Sequence, residues 1–204
     1  MKKISEAAQW TLLTTAGLAG GILTALIVGK PIGKIVGAML VTAIVTALVG
    51  AILGGMQAVW LRRLVARPVW WIAATTGGVG IGLAMGVVAI EQTGILITGQ
   101  RPNVLHLSTP MRAVSFLALG LMTGLVLGVA QWLVLHVRHW VVTSAAGLAL
   151  AFTTASLLVD ASLGGIASPA GLIAFVVIAG VLFGAATSLP LLKKRAAGET
   201  SIRS

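Results

Sequence analysis

Six stretches of the chain, at 8–29, 35–61, 70–90, 113–137, 140–159 and 170–192, are nearly unbroken runs of apolar residues and glycine. About 20 helical residues cross the roughly 30 Å of hydrocarbon in a bilayer, so each stretch is long enough to span it once. Transmembrane strands alternate apolar and polar residues, and these runs do not. The expected fold is therefore an all-α integral membrane protein, one transmembrane domain of six helices over 1–204. The charge content supports the same reading. Only 9% of residues are charged and 58% are hydrophobic, whereas a soluble domain carries about 25% charged residues. A surface so poor in charge excludes a soluble enzyme, a nucleic-acid-binding module and a disordered chain.

The stretches are related to one another. The odd-numbered ones begin with W-x3-[ST]-x2-G: Trp10, Thr14 and Gly17, then Trp71, Thr75 and Gly78, then Trp140, Ser144 and Gly147. A small residue follows one turn later, at Gly21, Gly82 and Ala151. The even-numbered ones end with G-x3-G-x2-[QT]-x3-L: Gly50, Gly54, Gln57 and Leu61, then Gly124, Gly128, Gln131 and Leu135, then Gly180, Gly184, Thr187 and Leu191. From the Trp to the second Gly is 44 residues in the first unit (10 to 54) and 44 in the third (140 to 184). The second unit takes 57 (71 to 128), an insertion of 13 that falls in the connection at 91–112. This pattern predicts three tandem hairpin repeats, at about 8–63, 69–138 and 139–193. Hairpins of equal orientation are related by an axis along the membrane normal, which makes the expected assembly a pseudo-threefold bundle.

The net charge of +10 is read as topology, since its basic residues flank the apolar stretches. Lys2, Lys3, Arg62, Arg63, Arg67, Arg138, Lys193, Lys194, Arg195 and Arg203 fall on one side, and Lys30, Lys34, Arg101 and Arg112 on the other. The positive-inside rule then places both termini in the cytoplasm, in a bacterial inner membrane, with anionic lipid against the basic face. The opening Met1-Lys2-Lys3 and apolar run resemble a signal peptide, but membership of the repeat argues that the run is kept. The tail at 193–204 reads as a solvated cytoplasmic end. Trp10, Trp71 and Trp140 lie near the cytoplasmic ends, where indole favours the headgroup level, and are expected as interfacial anchors.

Positions i, i+4, i+7 and i+11 share a helix face, so each motif is a stripe. Helices in lipid associate through close backbone approach at small residues and through hydrogen bonds across the contact. Gly17, Gly21, Gly50, Gly54, Gly78, Gly82, Gly124, Gly128, Gly147, Gly180 and Gly184 are the expected packing positions. Gln57, Gln131 and Thr187 are expected to join helices, or alternatively to ring the mouth of a central ligand site or pathway. Thr14, Thr75 and Ser144 are expected to bond within the hairpins.

Little reactive chemistry is present. No ionisable side chain lies in the middle third of a predicted span, which argues against ion-coupled transport, since such pumps keep a carboxylate within the membrane. The chain has no cysteine and no hydrolase or phosphate-binding motif. His136 and His139 share a face beside Arg138 and read as interfacial basic residues, not as metal ligands; His106 lies in the 91–112 insertion, which is expected to form a short interfacial or re-entrant segment. No cofactor, metal or catalytic residue is assigned, and nucleic acid is excluded as a partner. The leading functional expectation is a non-enzymatic scaffold or accessory subunit working through small-residue packing against membrane partners. The alternative is a transport subunit or facilitator for a neutral or apolar solute, and below it a pigment- or quinone-binding subunit.

Overall fold

The computed structural model describes residues 5–36, 38–62, 65, 67–98, 107–137, 139–163, 165–166 and 168–196. They form six helices: α1 (Glu6–Val36), α2 (Ala38–Leu61), α3 (Pro68–Thr98), α4 (Thr109–Leu135), α5 (Trp140–Leu163) and α6 (Pro169–Ala196). All six are long and apolar enough to cross a membrane. Their hydrogen bonding explains the choice of structure, because a helix satisfies its backbone groups within one segment and needs no water to do so.

Several boundaries differ from the sequence expectation, most of all around the connections after α1 and α3. α1 continues through Pro31 to Val36, past the expected end at 29. α3 continues to Thr98 and α4 starts at Thr109, so the flanks of the 91–112 insertion are helix extensions and not a separate interfacial element. Residues 99–106, with His106, lie outside the described residues. α4 stops where His136 turns left-handed (φ 50°) and its N–H reaches the Trp132 carbonyl, a C-terminal cap usually given to glycine. His139 is also left-handed, at φ 67°.

Each helix packs against its two sequence neighbours, and α6 packs against α1. The six therefore make a closed ring, with apolar side chains turned into its middle. The seams depend on glycine. A Cβ at Gly50 would lie 2.7 Å from Thr76 Cα, at Gly124 2.5 Å from the Ser144 carbonyl oxygen, and at Gly180 2.9 Å from Thr15 Cα. These three seams join α2 to α3, α4 to α5, and α6 to α1. One turn along, Gly54 meets Ile72, Gly128 meets Val141, and Gly184 meets Thr11, again backbone to backbone. Within the hairpins Gly17 faces Leu53 and Gly78 faces Leu127 at under 3 Å, while Gly147 faces Ala186 at 3.1 Å. The outward faces carry large apolar side chains such as Ile27, Val142 and Leu150, each more than 60% exposed. A continuous apolar exterior of this kind belongs against hydrocarbon or another protein.

At the end of the ring away from residue 10, Arg112 Nη1 pairs with Asp160 at 2.7 Å, and Arg112 Nη2 donates to the Leu107 carbonyl at 2.9 Å. Gly165 (φ +102°) passes over this pair so closely that a Cβ would lie 3.2 Å from the Asp160 carboxylate. The ion pair thus ties α4, α5 and the α5–α6 connection together.

The seams make a graded prediction. Gly124→Ala should lower stability by about 1–3 kcal/mol, the usual cost of forcing atoms into a packed contact. Gly55→Ala and Gly77→Ala, whose added Cβ meets nothing within 4 Å, should be neutral or slightly stabilising. Thermal unfolding of the three variants in detergent is the check.

Candidate functional site

The end of the ring where α1 begins and α6 ends holds a hydrogen-bonded layer built from the sequence motifs. Gln57 on α2 donates from Nε2 to Thr14 Oγ1 on α1 at 3.1 Å, and its Oε1 accepts from the Trp71 indole on α3 at 3.2 Å. Gln131 on α4 repeats this, donating to Thr75 on α3 at 3.0 Å and accepting from Trp140 on α5 at 3.1 Å. Thr187 on α6 accepts from the Trp10 indole on α1 at 3.0 Å. Each amide therefore links three consecutive helices, and Thr187 joins α6 to α1. The three indoles meet edge to face, with centroids 5.9–6.4 Å apart, a preferred arrangement for aromatic pairs. Trp60 stacks edge-on against Trp10, and Leu61, Leu135 and Leu191 are buried in the same cluster.

This corrects the expectation that Trp10, Trp71 and Trp140 anchor the protein in lipid headgroups. Their exposures are 0–1%, and their N–H groups go to Gln57, Gln131 and Thr187. The sequence already held the reason, because each Trp shares its stripe with the Thr or Ser and the Gly that pack inward. Trp70 and Trp132 are the tryptophans that face outward. Gln57, Gln131 and Thr187 do not surround an open mouth: all three are at most 1% exposed, and the indoles plug the space between them.

The third link is incomplete. Thr187 is too short to bridge, and its hydroxyl donates to the Phe183 carbonyl of its own helix at 2.8 Å. Ser144, which stands where Thr14 and Thr75 accept an amide proton, keeps a buried hydroxyl with no partner.

Behind the tryptophan plug lies a chamber of about 310 Å³, walled by side chains from all six helices. Its floor is Thr14, Leu53, Leu127 and Phe183, and its wall rises along Leu18, Ile22 and Ala25 of α1 and Val49 and Val45 of α2. The half-exposed Leu26 lies on its open side. The position of the chamber follows from side-chain volume. All four phenylalanines are on α4, α5 and α6. Phe116, Phe152 and Phe175 stack with centroids 5.2 and 5.5 Å apart and fill one side of the ring. The facing wall from α1 and α2 carries aliphatic side chains such as Leu18, Ile22, Ala25, Val45 and Val49 and no aromatic ring, so space remains there.

The chamber wall is apolar. Of its hydroxyls, Thr14 accepts from Gln57, Thr46 donates to the Thr42 and Ala43 carbonyls, and Thr123 Oγ1 is buried without a partner. A trapped water wants two to four polar partners, so this space excludes water and suits a hydrocarbon. Left empty, it would deny its lining the dispersion contacts that a filled interior makes.

The remaining expected positions lie elsewhere. Gly17, Gly21, Gly50, Gly54, Gly78, Gly82, Gly124, Gly128, Gly180 and Gly184 face neighbouring helices of the same chain within 3.2 Å, and Gly147 does so at 3.1 Å. His136 and His139 are exposed beside α4 and α5, and no cluster of His, Asp and Glu suited to a metal is found among the described residues. Apart from Thr14, the chamber residues are not among the positions expected from the sequence, because no single stripe sums volumes across facing helices. Comparison with protein-family models, with curated proteins and with solved structures finds no match.

The layer predicts opposite effects at its two kinds of link. Gln131→Leu strands the Trp140 N–H in an apolar interior and should cost about 1–3 kcal/mol. Thr187→Gln gives Ser144 a donor and Trp10 an amide oxygen, and should raise stability by about 0.6–1.7 kcal/mol, the range of measured membrane hydrogen bonds. Unfolding midpoints of both variants in the same detergent test this.

Proposed function

We propose that the protein binds a neutral or apolar small molecule inside a transmembrane bundle, as the binding or transport subunit of a membrane system, and performs no chemistry on it. The observation that carries this reading is the water-excluding chamber, closed by the tryptophan plug at one end and open beside Leu26. The absence of ionisable side chains from the middle of the spans favours a neutral cargo over an ion-coupled one.

The bundle in this reading is three tandem hairpins about a pseudo-threefold axis. The recurrence of the Gly50, Gly124 and Gly180 seams and of the Trp-to-Gln or Trp-to-Thr bonds supports it. The excess of Lys and Arg where α1 starts and α6 ends supports a bacterial inner membrane with both termini in the cytoplasm and anionic lipid at that face. The tryptophan plug is then the cytoplasmic seal. A scaffold acting through glycine stripes draws less support, because the chain's own helices occupy those stripes.

Gentle purification in nanodiscs followed by solvent extraction and mass spectrometry tests the reading. The expected result is one apolar compound in near-stoichiometric amount, reduced in a Val49→Phe variant that narrows the chamber. Stoichiometric membrane-protein partners with no such compound would overturn it in favour of an accessory subunit.

A further inference from the structure

The tryptophan layer closes one end of the chamber, and its strength is uneven around the ring. Five of the six seams set a glycine against backbone. An added Cβ at Gly17, Gly50, Gly78, Gly124 or Gly180 would lie under 3 Å from a Cα of the neighbouring helix. The seam between α5 and α6 is looser, because a Cβ at Gly147 would meet the Ala186 methyl at 3.1 Å and the Phe183 ring at 3.6 Å and nothing else within 4 Å. Among the described residues no side-chain hydrogen bond joins these two helices at the level of the tryptophans: Thr187 donates within α6, and Ser144 on α5 has no partner. α6 also contains Pro190, which has no N–H for the Ala186 carbonyl, so the helix lacks one rung at the residue that faces Gly147. These departures coincide in one unit. The positions of Ser144, Thr187 and Pro190 are held by Thr14, Gln57 and Trp60 in the first unit and by Thr75, Gln131 and Val134 in the second. Leu148 on α5 and Phe183 on α6 both line the chamber, so parting this seam opens the chamber at its plugged end.

We infer that the tryptophan plug is a gate, and that it opens when the end of α6 beyond Phe183 moves away from α5. Local opening starts where the fewest buried bonds and contacts must be broken, and this seam has the fewest to break. At this level α6 is tied to α1 through the Trp10–Thr187 bond, whereas Gln57 and Gln131 each hold three helices. Opening therefore releases the Trp10 indole and leaves the bonds of Trp71 and Trp140 in place. Leu191, buried in the plug, leaves with α6. The purpose of the gate rests on the reading of the chamber as a binding site, since a molecule held there passes the sealed end only when the plug parts.

The test reads the layer itself and needs no ligand. In full-length protein in detergent, exchange of the indole N–H groups with deuterated solvent is followed by NMR. Trp10 should exchange about 3- to 18-fold faster than Trp71 and Trp140, the factor to which one membrane hydrogen bond corresponds. The chain has no cysteine, so a pair introduced as Gly147→Cys and Ala186→Cys can be cross-linked without competing thiols. Their Cβ atoms would lie 3.1 Å apart, close to the separation that a disulfide takes. Oxidation should slow Trp10 to the rate of Trp71, and reduction should restore the faster rate, although the cross-link joins α5 to α6 and leaves Trp10 itself unaltered. Thr187→Gln, which gives Ser144 a donor, should slow Trp10 in the same way. If the cysteine pair fails to fold, Thr187→Gln and the order of rates in the unmodified protein decide the matter. Trp71 or Trp140 exchanging as fast as Trp10 overturns the gate, and so does a Trp10 rate that the cross-link leaves unchanged. Failure of the gate leaves the binding site standing, because solvent extraction tests that separately; failure to extract a ligand removes the cargo and leaves the order of indole rates.

Discussion

An indole N–H buried away from water must find an acceptor, and the interior of this ring is organised around three of them. Trp10, Trp71 and Trp140 are too large to sit on the seams and too polar at one atom to sit in a purely apolar core. Gln57 and Gln131 resolve this by offering an amide oxygen to the next helix while the amide nitrogen holds the helix before. The glycines follow from the same need, since the amide reaches both neighbours only when the backbones approach closely. Seams such as Gly124 against Ser144 are the condition for the hydrogen bonds as much as a source of dispersion energy.

The ring is not symmetric in its contents, and the departures are where its properties arise. Thr187 stands in place of a third glutamine, so it joins α6 to α1 alone, and the layer stays open between α5 and α6, where Ser144 has no partner. Higher in the ring, Ile22 and Val45 stand where the last hairpin has Phe152 and Phe175. One half is therefore filled by stacked rings and the other keeps a chamber.

Much of the architecture can be read from the residues. Six spans follow from apolar length alone, and the stripes identify the seams, because spacing of 4, 3 and 4 fixes one helix face. The tryptophans show where two signals compete. Their place near basic ends suggests the headgroup region, whereas their place on the small-residue stripe requires the interior, and packing decides. The ends of α1, α3 and α4 extend beyond expectation because hydropathy marks what must be in lipid, not where helical hydrogen bonding stops. The chamber is not legible at all from one stripe, since it is a deficit of volume summed over facing helices. The confinement of all four phenylalanines to the last three helices is the trace it leaves.

Hydrogen exchange at the six indole N–H groups tests the central layer most directly. With each resonance assigned by Trp→Phe substitution, Trp10, Trp71 and Trp140 should exchange with deuterated solvent far more slowly than Trp70 and Trp132, and with downfield shifts that mark hydrogen bonding. Exchange of those three as fast as the two outward-facing indoles would contradict the account, because the ring would then lack the hydrogen-bonded plug on which its packing depends.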